Sequence, residues 1–118
     1  MFVTDIDHVQ IAGPKGCESA ARQFFGVLLG LEEIEKPEQL RSRGGCWFQA
    51  GSRQLHVGVE EPFHPAGKAH PAFSVRDIEA LWAVLQTAGV PCTWDEALEG
   101  RRRFYARDPW GNRLEFTE

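Results

Sequence analysis

The sequence predicts an α+β fold in which two similar βαβββ modules form a curved mixed sheet. The first observation is a pair of matching intervals, since 62 residues separate His8 from His70 and 59 separate His56 from Glu115. The second is that each of these residues lies where apolar and polar residues alternate, as they do in half-buried strands. The third is that the order strand, helix, strands occurs twice. We therefore predict one domain, residues 1–118, with modules at about 4–60 and 69–118.

The first module opens with a strand and a helix. In Asp5–Ala12 the apolar Val9 and Ile11 share one face of the strand, which places His8 and Gln10 on the other. From about residue 17 to residue 29 the apolar residues then follow a helical stripe. A glycine at position 30 stands where a left-handed C-cap is expected.

Two more strands complete the first module. The polar segment 35–45 ends in two glycines, which favours a loop with at most a poor strand. Strands are predicted at Cys46–Ala50 and Gln54–Glu60. In the second of these, His56 lies opposite an apolar face, on the polar side of the sheet.

The second module repeats this order after a proline-containing linker, residues 61–69. His70–Val75 is predicted to be a strand, and Asp77 is a suitable N-cap for the amphipathic helix that follows it. Strands at Arg103–Arg107 and Arg113–Thr117 end the chain. The residues between them, Asp-Pro-Trp-Gly, are typical of a type I turn. Glu115 then faces away from the apolar side of the last strand.

Composition and charge exclude several functions. The chain is 42% apolar and 25% charged with a net charge of −4, and it carries no basic stripe that would indicate nucleic-acid binding. No apolar stretch approaches the roughly 18–20 residues that cross a bilayer, and no signal peptide is expected from the start of the chain. Three cysteines without C-x-x-C spacing suit a reducing compartment. We therefore expect a cytoplasmic protein with neither a nucleic-acid nor a membrane partner.

The four residues with matching spacing have the chemistry of metal ligands. Imidazole and carboxylate groups hold divalent transition metals while leaving coordination positions open. We predict a metal site formed by His8, His56, His70 and Glu115. The remaining histidine, His64, lies in the linker and is expected to face solvent.

Two stretches carry a family resemblance. The residues from Asp108 to Glu115, Asp-Pro-Trp-Gly-Asn-Arg-Leu-Glu, look like the D-P-x-G-N-x-x-E signature of the vicinal oxygen chelate superfamily, and His70–Val75 resembles the first strand of its second module. The superfamily contains glyoxalase I, fosfomycin thiol transferases, extradiol dioxygenases and bleomycin-binding proteins. The resemblance extends over nearly the whole chain.

The resemblance implies roles for particular residues. His8 and His70 match the two imidazole ligands, and Glu115 matches the carboxylate ligand, which is also a possible catalytic base. His56 falls where glyoxalase I has an acidic or amide ligand. Tyr105 matches a substrate-contacting tyrosine. Arg103 on the same strand face, and Gln10 beside His8, are further expected substrate contacts.

The implied function is that of a glyoxalase-like lyase or isomerase with a small substrate whose neighbouring oxygens chelate Fe, Ni, Co, Zn or Mn. Two alternatives stay open: an extradiol-type dioxygenase using Fe(II), and a metal-free binding protein of the bleomycin-resistance type. Fosfomycin thiol transfer is not favoured, because this sequence carries no arginine-bearing helix after Glu115. We further expect a homodimer in which His8 and His56 of one subunit meet His70 and Glu115 of the other.

Overall fold

The computed structural model describes residues 1–118, which divide into two compact units, Met1–Phe63 and His64–Glu118. Each unit is a four-stranded mixed sheet with a helix on one face, so the predicted α+β class is confirmed. None of the helices reaches the length and apolar character that crossing a membrane requires.

The sheet of the first unit has the strand order β1-β4-β3-β2. Its first and fourth strands are parallel, and its other neighbours are antiparallel. The strands are β1 (His8–Gly13), β2 (Glu32–Ile34), β3 (Cys46–Ala50) and β4 (Arg53–Val59).

The predicted helix at 17–29 has two parts. An α-helical turn, α1 (Glu18–Ala21), continues as a π-helix over Arg22–Leu28. The wider turn is closed by the bond from the Leu29 amide to the carbonyl of Phe24, 3.0 Å away and five residues earlier. Phe24 and its neighbour Phe25 lie in this part of the helix, and both are buried. The helix ends as predicted at a left-handed glycine.

The second unit repeats the arrangement with the strand order β5-β8-β7-β6. Its strands are β5 (Ala72–Ser74), β6 (Cys92–Asp95), β7 (Arg103–Arg107) and β8 (Arg113–Thr117). Helix α2 (Ile78–Thr87) begins where expected, because the Asp77 side chain accepts a hydrogen bond from the Ala80 amide at 3.1 Å. Two strands of this unit, β7 and β8, have the bounds that the sequence predicted.

Some local predictions were wrong. The βαβββ order requires the edge strands β2 and β6, but they were not located in the sequence, and the supposed loop at 35–45 contains a 3₁₀ helix, Glu38–Arg43. His8, expected inside a strand from Asp5, begins β1, and His70, expected to begin a strand, precedes β5 by two residues. Hydrogen bonding between the β5 and β8 segments starts just after His70, where the Glu115 amide donates to the Pro71 carbonyl at 3.0 Å.

In both units one sheet face packs on the helix and the other carries polar side chains. The buried face of the first sheet contains Phe48, Leu55 and Val57, and that of the second contains Phe104, Leu114 and Phe116. Because side chains alternate along a strand, every second residue of these strands points to the opposite face. That face holds the candidate site residues in each unit.

Candidate functional site

In the first unit, two histidines are stacked on the polar face of the sheet. His56 pairs with Trp47 on β3, and its ring lies 3.8 Å from the Trp47 ring at 3° between the planes. On its other side the His8 ring lies at 4.1 Å and 18°. His56 is therefore held between two flat rings, which fixes the orientation of its plane.

The environment of His56 favours a neutral imidazole. His56 is 4% exposed, and burial, with a smaller contribution from nearby His8, lowers the pKa of His56. The Nε2 atom of His56 lies 2.9 Å from Oε1 of Gln54. His8 pairs its Nδ1 with the Asp7 carboxylate at 3.0 Å, which leaves Nε2 of His8 available to a metal, because ligating histidines commonly bond a carboxylate through the other ring nitrogen.

Gln10, a predicted substrate contact, lies next to this pair. It is opposite His56 in the β1–β4 register. Its side-chain amide lies over Gly58, where an added Cβ would come within 2.5 Å of Nε2 of Gln10. The glycine thus makes room for the amide on the polar face.

In the second unit, His70 and Glu115 form a pair. Nε2 of His70 lies 3.0 Å from Oε1 of Glu115, and Glu115 is 7% exposed. Nδ1 of His70 lies 2.8 Å from the Lys68 carbonyl. Since a carbonyl only accepts, this contact places a proton on Nδ1. In the neutral imidazole, the lone pair of Nε2 then faces a carboxylate oxygen.

This second pair fits a metal cation. Two electron-rich atoms at 3.0 Å need a proton or a cation between them. Metal–nitrogen and metal–oxygen bonds of roughly 2.1 Å at a right angle separate two donor atoms by about 3 Å. The Lys68 carbonyl on the far ring nitrogen is the outer partner that ligating histidines usually have. The donor spacing and tautomer are therefore those of two neighbouring ligands.

Arg103 lies beside Glu115 and is already engaged. It donates from Nη2 to Asp95 at 2.9 Å and from Nη1 to Glu115 at 3.5 Å. Its Nε is buried without a hydrogen-bond partner. Its Cζ lies 5.7 Å from the centre of the Tyr105 ring. In this structure Arg103 therefore contacts the candidate base Glu115 directly.

Tyr105 faces the same side of the sheet, opposite Glu115 in the β7–β8 register. The centres of the Tyr105 and His70 rings lie 5.5 Å apart, with 85° between the planes, and the Arg113 guanidinium lies over the Tyr105 ring at 4.0 Å. Arg113 was missed in the sequence. Its position two residues before Glu115 in an alternating strand was the signal that could have found it.

The turn before β8 is tightly bonded. The Asp108 carboxylate accepts from the Trp110 amide at 3.0 Å, and from the backbone and side-chain nitrogens of Asn112, both at 2.8 Å. The motif Asp-Pro-Trp-Gly-Asn thus orients the strand that carries Glu115. His64, as expected, is exposed.

Each unit brings together two of the four predicted ligands, His8 with His56 and His70 with Glu115. No group of three or more His, Cys, Asp and Glu side chains in the chain is arranged to hold a metal. The four-ligand set thus remains a prediction, supported by two pre-formed pairs.

Comparison with known proteins gives a consistent result. The family model described as Glyoxalase/Bleomycin resistance protein/Dioxygenase superfamily matches residues 6–116. A solved structure assigned to the glyoxalase family, from Bacillus anthracis, is 49% identical with a TM-score of 0.96, over 100% of this chain and 97% of that one. No curated protein matches the sequence.

More distant structures share the fold. Lactoylglutathione lyase from Agrobacterium tumefaciens is 19% identical with a TM-score of 0.77, over 100% of this chain and 96% of that one. The fosfomycin resistance protein FosX from Listeria monocytogenes is 14% identical with a TM-score of 0.77, over 98% and 93%. The family match, the close structural relative and the repeated βαβββ units lead to one conclusion: the chain belongs to the glyoxalase, bleomycin resistance protein and dioxygenase superfamily, as its resemblance to the vicinal oxygen chelate proteins predicted.

Proposed function

We propose that this protein is a metal-dependent enzyme of the lyase or isomerase type, whose small substrate chelates the metal through neighbouring oxygens. The observation that carries the proposal is the pair of half-buried His70 and buried Glu115, with their donor atoms 3.0 Å apart and the far nitrogen of His70 on a backbone carbonyl. Superfamily membership supports it. The donor types suit Fe, Ni, Co, Zn or Mn.

A metal held there would supply Lewis-acid stabilisation of negative charge that develops on a substrate oxygen. Glu115 would accept the proton from a carbon next to a carbonyl and return it to the neighbouring carbon, as a general base and then a general acid. Arg103, 3.5 Å from Oε2 of Glu115, would hold that carboxylate in place. The low exposure of Glu115 limits competition from water.

We propose in addition that the protein acts as a homodimer in which two pairs complete each site. His8 and His56 would come from one subunit, and His70 and Glu115 from the other. The reasoning is that each unit offers two ligands on one open sheet face, whereas a metal site of this kind needs at least three protein ligands. A two-fold symmetric contact would form both sites together.

The metal proposal is tested with Glu115→Gln, and Glu118→Gln serves as the control because Glu118 is exposed. Protein purified without a chelator or histidine tag is analysed for elements, and then titrated with Fe(II), Ni, Co, Mn and Zn. We expect one metal per site in the wild type, a loss of affinity of at least about tenfold in Glu115→Gln, and no change in the control. Failure of the wild type to bind any of the five metals stoichiometrically would refute the proposal.

The role of His56 needs its own pair of variants. As a fourth ligand it would have to exchange its contact with Gln54 for the metal. His56→Ala should then weaken metal affinity, whereas His64→Ala, at an exposed linker position, should leave it unchanged. A larger effect at His64 would show that the fourth ligand is wrongly assigned.

The shared site is tested by complementation. Mixing His8→Ala with Glu115→Ala chains lets both lesions fall in one site of a heterodimer, so the other site is intact. Each heterodimer then has one intact site of two, and an equal mixture that exchanges subunits freely contains about half heterodimers. We therefore expect metal binding to recover to about a quarter of the wild-type stoichiometry. A protein that stays monomeric at working concentration, or no recovery on mixing, would contradict the dimer proposal.

A metal-free binding protein of the bleomycin-resistance type is the second candidate. The observation in its favour is that no three ligand side chains are gathered in the chain. The metal titration separates the two candidates directly. Binding restricted to Fe(II) or Mn, with oxygen consumption in the presence of a catechol, would instead indicate an extradiol-type dioxygenase.

A further inference from the structure

Arg113 has an unusual position among the arginines of this chain. It lies on β8 two residues before Glu115, so both side chains point to the polar face of the sheet. It is half-buried. Its Cζ lies 4.0 Å from the centre of the Tyr105 ring, and the guanidinium forms no ion pair or hydrogen bond with the protein. A guanidinium has five donors in a planar fork, and here they lack an acceptor.

The other arginines near this face are already engaged. Arg103 binds Asp95 and Glu115, and Arg107 donates to the Gly111 carbonyl at 3.2 Å. Arg103 lies between these two carboxylates, and neither of them forms an ion pair with Arg113. Arg113 therefore has no carboxylate partner on this face.

The Tyr105 ring connects this free cation to the candidate metal pair. Its face carries Arg113 at 4.0 Å, and its ring meets His70 at 5.5 Å and 85°. Stacking on an aromatic face reduces the freedom of a guanidinium, so less entropy is lost when it binds an anion. A small molecule held at His70 and Glu115 would therefore lie close to a cation that contacts the same aromatic ring as His70.

We propose that Arg113 binds a carboxylate of the substrate, so that the substrate class is an organic acid carrying two further neighbouring oxygens. Carboxylates fit the guanidinium fork with two parallel hydrogen bonds. This inference rests on the proposed metal-chelating function and adds the charge of the substrate to it. Tyr105 is then the positioning residue for Arg113.

The test uses two probes of matched length, butyrohydroxamate and succinate monohydroxamate. Both offer the same pair of neighbouring oxygens to a metal, and only the second carries a carboxylate. Calorimetric titration of the metal-loaded wild type should show about tenfold tighter binding of the carboxylate probe, the value of a charged hydrogen-bonded contact. Arg113→Gln should abolish this preference and leave butyrohydroxamate binding unchanged.

Two further measurements make the result specific. Arg107→Gln, which removes an exposed arginine that pairs in register with Arg113, should keep the preference. In metal-free protein, butyrate should shift the Nε–Hε NMR signal of Arg113, identified by its absence from the spectrum of Arg113→Gln. Far-UV circular dichroism verifies that both variants fold.

The outcomes distinguish the two proposals. If both hydroxamates bind equally well to the wild type, or if Arg113→Gln keeps the preference, the substrate carboxylate is refuted while metal chelation stands. If neither hydroxamate binds the metal-loaded protein, the chelating function fails. In that case the butyrate titration decides whether Arg113 binds a carboxylate at all.

Discussion

The turn that carries Asp108 should be a main source of stability for the second unit. Its carboxylate accepts three hydrogen bonds, at 3.0, 2.8 and 2.8 Å, and it is 5% exposed. Asp108→Ala removes all three acceptor contacts. Because hydrogen bonds to a charged group contribute about 1.5–3 kcal/mol each, the simple sum would exceed 4 kcal/mol.

Two effects reduce that figure. The freed Trp110 amide, next to the exposed Pro109, can bond to water. The burial that raises the pKa of Asp108 also no longer penalises a charged group. We therefore expect Asp108→Ala to lower the free energy of unfolding by about 3 kcal/mol, a large part of the usual 5–15 kcal/mol. Asp108→Asn keeps an oxygen for the two backbone amides and loses only the contact with the Asn112 side chain, so it should cost about 1 kcal/mol.

The assay is urea unfolding followed by circular dichroism, with the slope checked against that of the wild type so that only the midpoint changes. Asp77→Asn is the control, since an asparagine oxygen can still accept from the Ala80 amide, and it should be near neutral. A cost below about 1 kcal/mol for Asp108→Ala, or an equal cost for the Asn and Ala variants, would refute the account of the turn.

Three further results are expected. Gly45→Ala should cost about 3 kcal/mol or more, because its φ is +85° and the new Cβ would lie 2.0 Å from a backbone carbonyl, while Gly51→Ala, with open space around it, should cost about 1 kcal/mol. Burial and His8 lower the pKa of His56. The free energy of unfolding should therefore fall as the pH drops below about 6.5, because the unfolded chain gains a proton that folded His56 resists. Urea unfolding at pH 7.5 and 5.5 should show a smaller change between the two pH values in His56→Gln than in the wild type. Burial raises the pKa of the Cys46 thiol to about 11, so thiol reagents should leave it unmodified until the protein unfolds, as peptide mass spectrometry would detect.

Elements with a strong alternating or helical pattern could be predicted from the sequence. Strands β3, β7 and β8 have the predicted bounds because their apolar residues pack on a helix. The short strands β2 and β6 contain no buried residue, so no apolar alternation marks them in the sequence. The π-helical turn depends on how Phe24 and Phe25 are packed, and periodicity along the chain does not encode this.

The two pairs of candidate ligands could be predicted from strand alternation and the repeated spacing. The side-chain contacts around each pair could not. Alternation placed His56 on the polar face, and the structure agrees. Its position between Trp47 and His8 depends on registers between strands that are distant in sequence. The same applies to the contacts of Arg103 with Asp95 and Glu115. Sequence patterns indicate which face a side chain occupies, but its neighbours on that face depend on tertiary pairing.

The two pairs differ in charge, and this difference bears on the substrate. The His8–His56 pair is uncharged in its ligand form, so Glu115 would be the sole anionic ligand among the four predicted residues. Arg103 between Glu115 and Asp95 contributes a positive charge of its own. With a divalent metal bound, the surroundings of Glu115 and Arg113 would carry net positive charge, and in a partly buried site such charge is only weakly screened. An anionic chelating substrate would neutralise it, so the ligand set and the unpaired Arg113 favour the same class of compound.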